Sequence, residues 1–298
     1  MSGNSAKREH VPNPLGRRDH DAGMPSDVHV NRQAVVGTGS ETQKSTHILR
    51  RLYPEVNAGG FTRVDGTIQF YTRVNALLHR GMVVVDVGAG RGAALQEDPC
   101  AYRRELRRLN GKVRRVIGLD VDEAVFENPG LDEAHVIASG SAFPLGDSCA
   151  DLILSDFTFE HIEDPVRFAS ELDRIVKPGG WICARTPNKW NYVSIGARLL
   201  PKRAHGLLLS WLQPGRKEED VFPTRYLMNT RRVLRTLFPP ERYEDFSYTY
   251  SAEPSYAPPS RLVWSVLLLW EAICPEAMRS NIFVFLRKRI GDCKGEPA

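Results

Sequence analysis

The chain has 298 residues, of which 42% are hydrophobic, and its lysines and arginines exceed its acidic residues to give a formal net charge of +4. This length and composition suit one large domain or two small ones, and they exclude a wholly disordered protein. The mild charge does not require a nucleic-acid partner, and five cysteines without a Cys-x-x-Cys pair exclude a cysteine-based zinc framework or a disulfide scaffold.

The first 45 residues are predicted to form a disordered tail. They contain no aromatic residue, and they mix six basic with five acidic residues. They also lack the apolar segment of a secretory signal, so we expect a cytoplasmic protein. From His47 to His79 apolar residues recur every three or four positions, which predicts helices before the first strand.

Val83 to Ala94 reads Val-Val-Val-Asp-Val-Gly-Ala-Gly-Arg-Gly-Ala-Ala. Its β-branched apolar start predicts a strand buried on both faces of a parallel sheet. Asp86 precedes Gly88, Gly90 and Gly92, and glycines at this spacing allow a sharp bend and the close approach of a ligand. Gly88, Gly90 and Ala93 fit the weaker dinucleotide pattern Gly-x-Gly-x-x-Gly or Ala, so a nicotinamide-dependent oxidoreductase is an alternative interpretation.

An arginine-rich helix is predicted next, with Tyr102, Leu106 and Leu109 as its apolar stripe. Between Arg103 and Arg115 there are seven basic residues and one acidic residue. We interpret this cluster as a solvated helix face, with a surface for phosphate or anionic lipid as the alternative.

Three more strands are predicted in this half of the chain. The second strand runs from Val113 to Val121, and Asp120 near its end is placed to accept two ribose hydroxyls. The third covers Ala134 to Ala138, and the fourth covers Leu152 to Asp156.

A helix is predicted to begin at Asp164 and Pro165, a residue pair typical of the N-cap and first helical position. It ends at Lys177-Pro-Gly-Gly, and Trp181 then begins a fifth strand. The predicted buried face of this helix consists of Val166, Phe168, Ala169, Leu172, Ile175 and Val176.

The motif Asp-x-Gly-x-Gly-x-Gly after a strand resembles the first motif of the class I S-adenosylmethionine-dependent methyltransferases. Glu160-His161, Lys177-Pro-Gly-Gly and Thr186-Pro-Asn resemble the small-molecule branch of that family, which includes quinone- and glycan-modifying members. The resemblance covers about residues 75–190. It implies an α/β, Rossmann-like sheet of seven mostly parallel strands, with helices on both faces and a C-terminal antiparallel hairpin.

The resemblance also implies S-adenosyl-L-methionine as the cofactor. Val121 and Ala142 are expected to sandwich the adenine, and Ser141 is expected to meet its edge, in a position where the family has an acid. The predicted cofactor-binding residues are Asp86, Gly88, Ala89, Gly90, Gly92, Asp120, Val121, Ser141, Ala142 and Asp156.

His161, just past the fourth strand, is the leading candidate for a general base, with Asp156 and Glu160 as neighbours that orient it or raise its pKa. The alternative is that Glu160-His161 only organises the loop. No metal site is predicted. The candidate acceptor-binding residues are Tyr71, Trp190, Tyr192 and His205.

We predict that residues 46–290 form one methyltransferase domain, followed by a tail at 291–298. An aromatic-rich insertion at 189–228 is the expected acceptor lid.

The closing hairpin is predicted from strands at Tyr243 to Tyr250 and Asn281 to Lys288, with a helix from Arg261 to Met278 between them; another helix is predicted over Asn229 to Phe238. We expect the apolar 262–274 segment to cover the hairpin, with peripheral membrane contact or a dimer face as alternatives.

These features favour methyl transfer to an oxygen of a small molecule, a sugar or glycan, or a lipid-like acceptor, without nucleic acid as a partner. A methyltransferase fold that binds ligand without catalysis is a second alternative. The oligomeric state stays open.

Overall fold

The computed structural model describes residues 47–192, 224–254 and 260–290. The predicted tails at 1–45 and 291–298, and His205 in the insertion, lie outside these residues. No helix within the described ranges combines the length and apolarity needed to cross a bilayer.

The predicted α/β fold with a mostly parallel sheet is confirmed. Its strands lie in the order β3-β2-β1-β4-β5-β8-β6, and β7 also pairs with β8. Strands one to five are parallel, and the last three are antiparallel to their neighbours. The strands are β1 (Val83–Val87), β2 (Arg115–Asp120), β3 (Glu133–Val136), β4 (Ala150–Asp156), β5 (Val176–Pro187), β6 (Tyr243–Asp245), β7 (Tyr248–Tyr250) and β8 (Asn281–Lys288).

The sheet has eight strands, one more than predicted, because the expected strand from Tyr243 to Tyr250 is interrupted. Phe246 donates its N–H to the Phe285 carbonyl at 2.9 Å, and the Ser247 hydroxyl accepts the Phe285 N–H at 3.1 Å. The ladder is therefore broken for two residues, as at a β-bulge, and β6 and β7 pair with different parts of β8.

Helices cover both faces of this sheet. Val83, Val85 and Val87 pack in the core beneath the helices Pro165–Ile175 and Arg231–Leu237, whereas Val84 packs in the core beneath the helices Gly66–Leu77 and Ala101–Arg107, as the period of two along a strand requires. The helices are α1 (47–52), α2 (Gly66–Leu77), α3 (Ala93–Gln96), α4 (Ala101–Arg107), α5 (Pro165–Ile175), α6 (Arg231–Leu237) and α7 (Arg261–Ile273).

The start of α5 is as predicted: the Asp164 carboxylate accepts the Arg167 N–H, and Pro165 occupies the first turn. The predicted buried face is wrong at Val166, which is 72% exposed. The helix ends at Ile175, and β5 begins at the next residue. The Pro-Gly-Gly segment therefore lies in a register irregularity of β5 and not before it.

Two predictions about helices are wrong. The helix after the glycine turn is divided into α3 and α4, and Tyr102 is 48% exposed although it belongs to the predicted apolar stripe. The hairpin is covered by Phe70 of α2, which contacts Phe283 and Phe285, whereas α7 packs through Trp264 against α1. Because the aromatic side chains of β8 pack against the ring of Phe70, α2 covers the hairpin, and α7 packs against α1 instead.

Candidate active site

A cavity of about 1490 Å³ lies at the carboxyl ends of β1, β2 and β4. This is the edge at which open α/β sheets bind their ligands. Most of the side chains selected from the sequence line it together: Tyr71, Asp86, Gly88, Ala89, Gly90, Gly92, Asp120, Val121, Ser141, Asp156, His161 and Tyr192.

Ala142 and Trp190 lie within the described residues but do not line this cavity. Ala142 is exposed, whereas Phe143 is buried and lies on the wall, and its N–H donates to the Glu171 carboxylate at 2.7 Å. One step along an extended chain turns a side chain to the opposite face, so the side chain on the cavity wall is that of Phe143 and not that of Ala142. Trp190 is 50% exposed, in a turn where its N–H donates to Asn188 Oδ1.

The glycine turn brings the backbone to the cavity. Gly88, Gly90 and Gly92 all have positive φ, at 79°, 53° and 71°. A Cβ on Gly88 would lie 2.0 Å from Thr158 Oγ1, so only glycine lets the turn pack against the loop after β4. A Cβ on Gly90 would meet no atom within 4 Å, so a ligand has room above that backbone.

Asp120 is held by two backbone donors. Its Oδ2 accepts the Gly90 N–H at 2.7 Å, and its Oδ1 accepts the Asp122 N–H at 3.0 Å. Each carboxylate oxygen can accept a further hydrogen bond. The second strand and the glycine turn are thus joined by one acid that still has acceptor capacity for a ligand.

The loop after β3 approaches the same end of the cavity, because Ile137 donates its N–H to the Asp120 carbonyl at 2.8 Å. Ser141, farther along this loop, donates its hydroxyl to the Ala138 carbonyl at 2.7 Å. Its oxygen can accept a hydrogen bond from a ligand amine. Val121 is 48% exposed and contributes apolar surface there.

Asp86 follows Val84 on the face of β1 that points towards α2. Burial, together with the negative charges of Asp156 and Asp120, raises the pKa of Asp86 to about 7. No salt bridge to Asp86 is formed within the described ranges. A cationic ligand beside Asp86 would compensate this charge.

Asp156 is bound to a buried arginine. Arg185, only 3% exposed, donates to its two oxygens at 2.7 and 2.8 Å, and the Tyr71 hydroxyl donates to Oδ2 at 3.1 Å. Asp156 and Arg185 are register partners on β4 and β5. The carboxylate expected to orient His161 is therefore committed to Arg185 and Tyr71. The sequence signal that could have predicted this ion pair is Arg185, a single arginine within an otherwise apolar strand.

The prediction that the arginines of α4 form a solvated face is wrong for two of them. Arg103 and Arg107 are 9% and 8% exposed, and both donate to the Asp98 carboxylate. Arg103 also bonds Asp65, the N-cap of α2, at 2.9 Å, and Arg107 bonds Thr67 at 3.3 Å. These bonds fasten α2 to α4 on the cavity wall.

His161 and Glu160 lie at the cavity in different environments. His161 is partly exposed, whereas Glu160 is 5% exposed and its Oε2 accepts the Thr186 hydroxyl at 2.9 Å. Burial raises the pKa of Glu160 to about 7. The sequence predicted Glu160 only as a neighbour of His161, because the burial of the Glu160 side chain depends on its contact with β5, which lies elsewhere in the chain.

Residues 85–184, from β1 into β5, match the methyltransferase domain family. The chain is 33% identical over 120 residues to a protein named "Probable S-adenosylmethionine-dependent methyltransferase" from Mycolicibacterium smegmatis, covering 38% of this chain and 42% of that one.

Two further relatives have different acceptors in their names. Malonyl-[acyl-carrier protein] O-methyltransferase 1 of Coxiella burnetii is 27% identical, over 48% of this chain and 46% of its own length. Dimethylglycine N-methyltransferase of Parasynechococcus marenigrum is 26% identical, over 49% and 51%. The chain thus spans about half the length of the curated relatives it matches.

Proposed function

The chain carries a class I S-adenosylmethionine-dependent methyltransferase domain, and on this premise we propose that the protein transfers a methyl group to a hydroxyl oxygen of a small-molecule, sugar or lipid-like acceptor. The observation that supports this most strongly is that Asp86, Asp120 and the glycine turn together line one wall of the cavity. The test is calorimetric titration with S-adenosylmethionine, followed by a screen of acceptors for release of S-adenosylhomocysteine.

The residues on the wall suit this cofactor. We assign the amino-acid end to Asp86 and the glycine turn, because an uncompensated carboxylate and open space above Gly90 suit a cationic group close to backbone. Asp120 retains acceptor capacity for the ribose hydroxyls. Val121 and Ser141 would contact the adenine, and Phe143 would replace Ala142 there.

When bound, the cofactor supplies an electrophilic methyl group on a sulfur that becomes neutral on transfer. The protein's contribution is to hold the acceptor atom in line with that methyl group in a cavity shielded from water. Tyr71 and Tyr192 line the cavity and would contact the acceptor. His161, the general-base candidate from the sequence, also lines this cavity.

The buried charges on the wall favour a neutral or cationic acceptor over an anionic one. The three arginines that are buried in the described part of the chain, Arg103, Arg107 and Arg185, are each bound by a carboxylate. Within the described ranges, Asp86 and Glu160 have no such partner cation. A hydroxyl or an amine therefore fits this cavity better than a free carboxylate does.

Binding of S-adenosylmethionine is expected to weaken below neutral pH, because protonation of Asp86 removes the charge that faces the ligand's ammonium group. With a pKa of about 7 for this carboxyl, affinity should rise about tenfold between pH 6 and pH 7.5. Calorimetry at these pH values measures it. Asp86→Asn should bind weakly at both, and methylthioadenosine, which lacks the amino-acid end, should show no such rise. A rise that survives in Asp86→Asn contradicts the assignment.

The outer face of α7 supports contact with a lipid surface. Residues 252–254 and 280–281, which precede and follow the helix in the chain, line the cavity. A lipid-like acceptor could therefore pass from a membrane to the cavity along this side. Four aliphatic side chains spaced three or four positions apart are each more than half exposed on this face: Leu262, Val266, Leu269 and Ile273.

The double variant Leu262→Ser, Leu269→Ser is expected to sediment about tenfold less with phosphatidylcholine–phosphatidylglycerol vesicles than the unaltered chain, because two apolar anchors are lost. Ile290→Ser is the matched control: Ile290 is 71% exposed but lies past the end of β8, away from the cavity. An unaltered chain that sediments no more than the double variant contradicts membrane contact, and sizing then tests whether the face joins two copies.

A further inference from the structure

Glu160 is a buried carboxyl without an ion-pair partner among the described residues. It lies in a 3-10 turn, Phe159–His161, directly beyond β4, and it lines the cavity. Buried glutamates are rare unless a cation neutralises them. Arg185 is close enough to influence Glu160 electrostatically, but its guanidinium is bound to both oxygens of Asp156.

Neutral groups hold the Glu160 carboxyl in place. Asn229 donates its amide N–H to Thr186 Oγ1 at 2.6 Å, and Thr186 donates its hydroxyl to Glu160 Oε2 at 2.9 Å. Because a hydroxyl has one proton, the bond from Asn229 directs that proton towards Glu160. Asn229 and Thr186 are both fully buried, so the orientation is well defined.

The backbone of Glu160 joins two sides of the cavity. Its carbonyl accepts the N–H groups of Arg225 and Tyr226 at 2.7 and 3.1 Å. Tyr226 lines the cavity and has a φ of 52°, an unusual conformation for a bulky residue. Glu160 thus lies between the carboxyl end of β4, next to the proposed cofactor site, and the last residues of the predicted insertion at 189–228.

We propose that Glu160 accepts the proton of the acceptor hydroxyl during methyl transfer, an inference that rests on the function proposed above. The acceptor oxygen forms a bond to the methyl carbon while its O–H proton passes to a Glu160 carboxylate oxygen. The bond between carbon and sulfur breaks, and its electron pair stays on the sulfur, which becomes neutral. Glu160 then returns the proton to solvent when the products leave.

The surroundings of Glu160 suit this exchange near neutral pH. Burial and the charge of Asp156 raise its pKa, while its own backbone N–H, Thr186 and Arg185 oppose the rise, and the result is about 7. His161 is its only titratable neighbour in the same turn. A group with a pKa near the working pH is available as a base and can also release its proton. Asp156 is less suited to proton exchange because its carboxylate oxygens accept hydrogen bonds from Arg185 and Tyr71.

The first test needs no acceptor. Infrared difference spectra of the full chain against Glu160→Gln, taken from pH 5 to pH 9, isolate the carbonyl band of Glu160. We expect the protonated band to disappear between pH 6 and pH 8. A carboxyl that stays ionised at pH 5, or stays protonated at pH 9, overturns the proposal.

The second test uses two probes of similar shape, 4-methylphenol, whose hydroxyl is protonated at pH 7.5, and 4-methylpyridine, a neutral nucleophile whose ring nitrogen has no proton to lose. Glu160→Gln should lose about 100-fold or more of kcat on the first probe and less than threefold on the second. It should also lose the acidic limb of the pH profile. Equal losses on both probes, or none, overturn the proposal.

His161→Asn is the matched control, and a loss confined to this variant would assign the proton transfer to His161. Thermal unfolding and S-adenosylmethionine affinity verify that each variant is folded, and Glu160→Asp should recover part of the rate if a carboxylate is what matters. A wild-type chain that binds no S-adenosylmethionine refutes the proposed function itself. If the wild-type chain binds the cofactor but methylates neither probe, the pH range over which Glu160 titrates in the infrared spectra supports or overturns the proposal.

Discussion

Asp120→Ala is expected to weaken S-adenosylmethionine binding by about 100-fold or more in calorimetric titration. Two hydrogen bonds from ribose hydroxyls to a carboxylate stabilise the complex by about 1.5 to 3 kcal/mol each. The substitution also leaves the Gly90 N–H without the acceptor that it has at 2.7 Å, so the glycine turn loses an anchor. Both effects act on cofactor affinity.

Asp122→Asn provides the control for this substitution. Asp122 lies two residues farther on and accepts the Ala124 N–H at 2.9 Å, and asparagine can make the same bond. Its cofactor affinity should stay within about threefold of the unaltered chain. If Asp120→Ala binds as tightly as this control while remaining folded, the ribose assignment fails.

Arg185→Leu is expected to lower the free energy of unfolding by about 3 kcal/mol, because it leaves the partly buried Asp156 carboxylate without its cation. Arg185 is 3% exposed and also donates to Thr67 at 3.0 Å, so α2 loses a contact as well. Urea unfolding followed by circular dichroism measures the change.

Two further variants separate charge from packing. The pair Arg235 and Asp245 is exposed, with a shortest distance of 3.5 Å, so Arg235→Leu should change stability by no more than about 0.5 kcal/mol. The double variant Arg185→Leu, Asp156→Leu should recover much of the loss, because no unpaired charge remains. If Arg185→Leu is no less stable than Arg235→Leu, the buried pair does not have the proposed structural role.

Local sequence patterns were sufficient for two parts of the backbone, the first strand with its glycine turn and the start of α5. The valine run at 83–87 specified a buried strand, and the glycines after it specified left-handed turns, because side-chain size limits φ at each residue. Asp164 and Pro165 specified the start of α5 for the same local reason. The cluster of cofactor candidates followed from the parallel sheet, whose strand ends meet at one edge.

Tertiary structure decided which side chain meets which partner. Arg103 and Arg107 are buried because Asp65 and Thr67, at the start of α2, pack against α4 and join the nearby Asp98 in binding them. Asp156 binds Arg185 because β4 and β5 align in one register. The same strand pairing divides 243–250 into two strands.

By itself, then, the sequence determined the α/β class, the glycine turn and the acids at its edge. Only the folded chain showed that Glu160 is buried beside Thr186, whereas His161 is partly exposed. The physical reason is that burial and charge pairing depend on residues far apart in the chain, while turns and strands depend on neighbours.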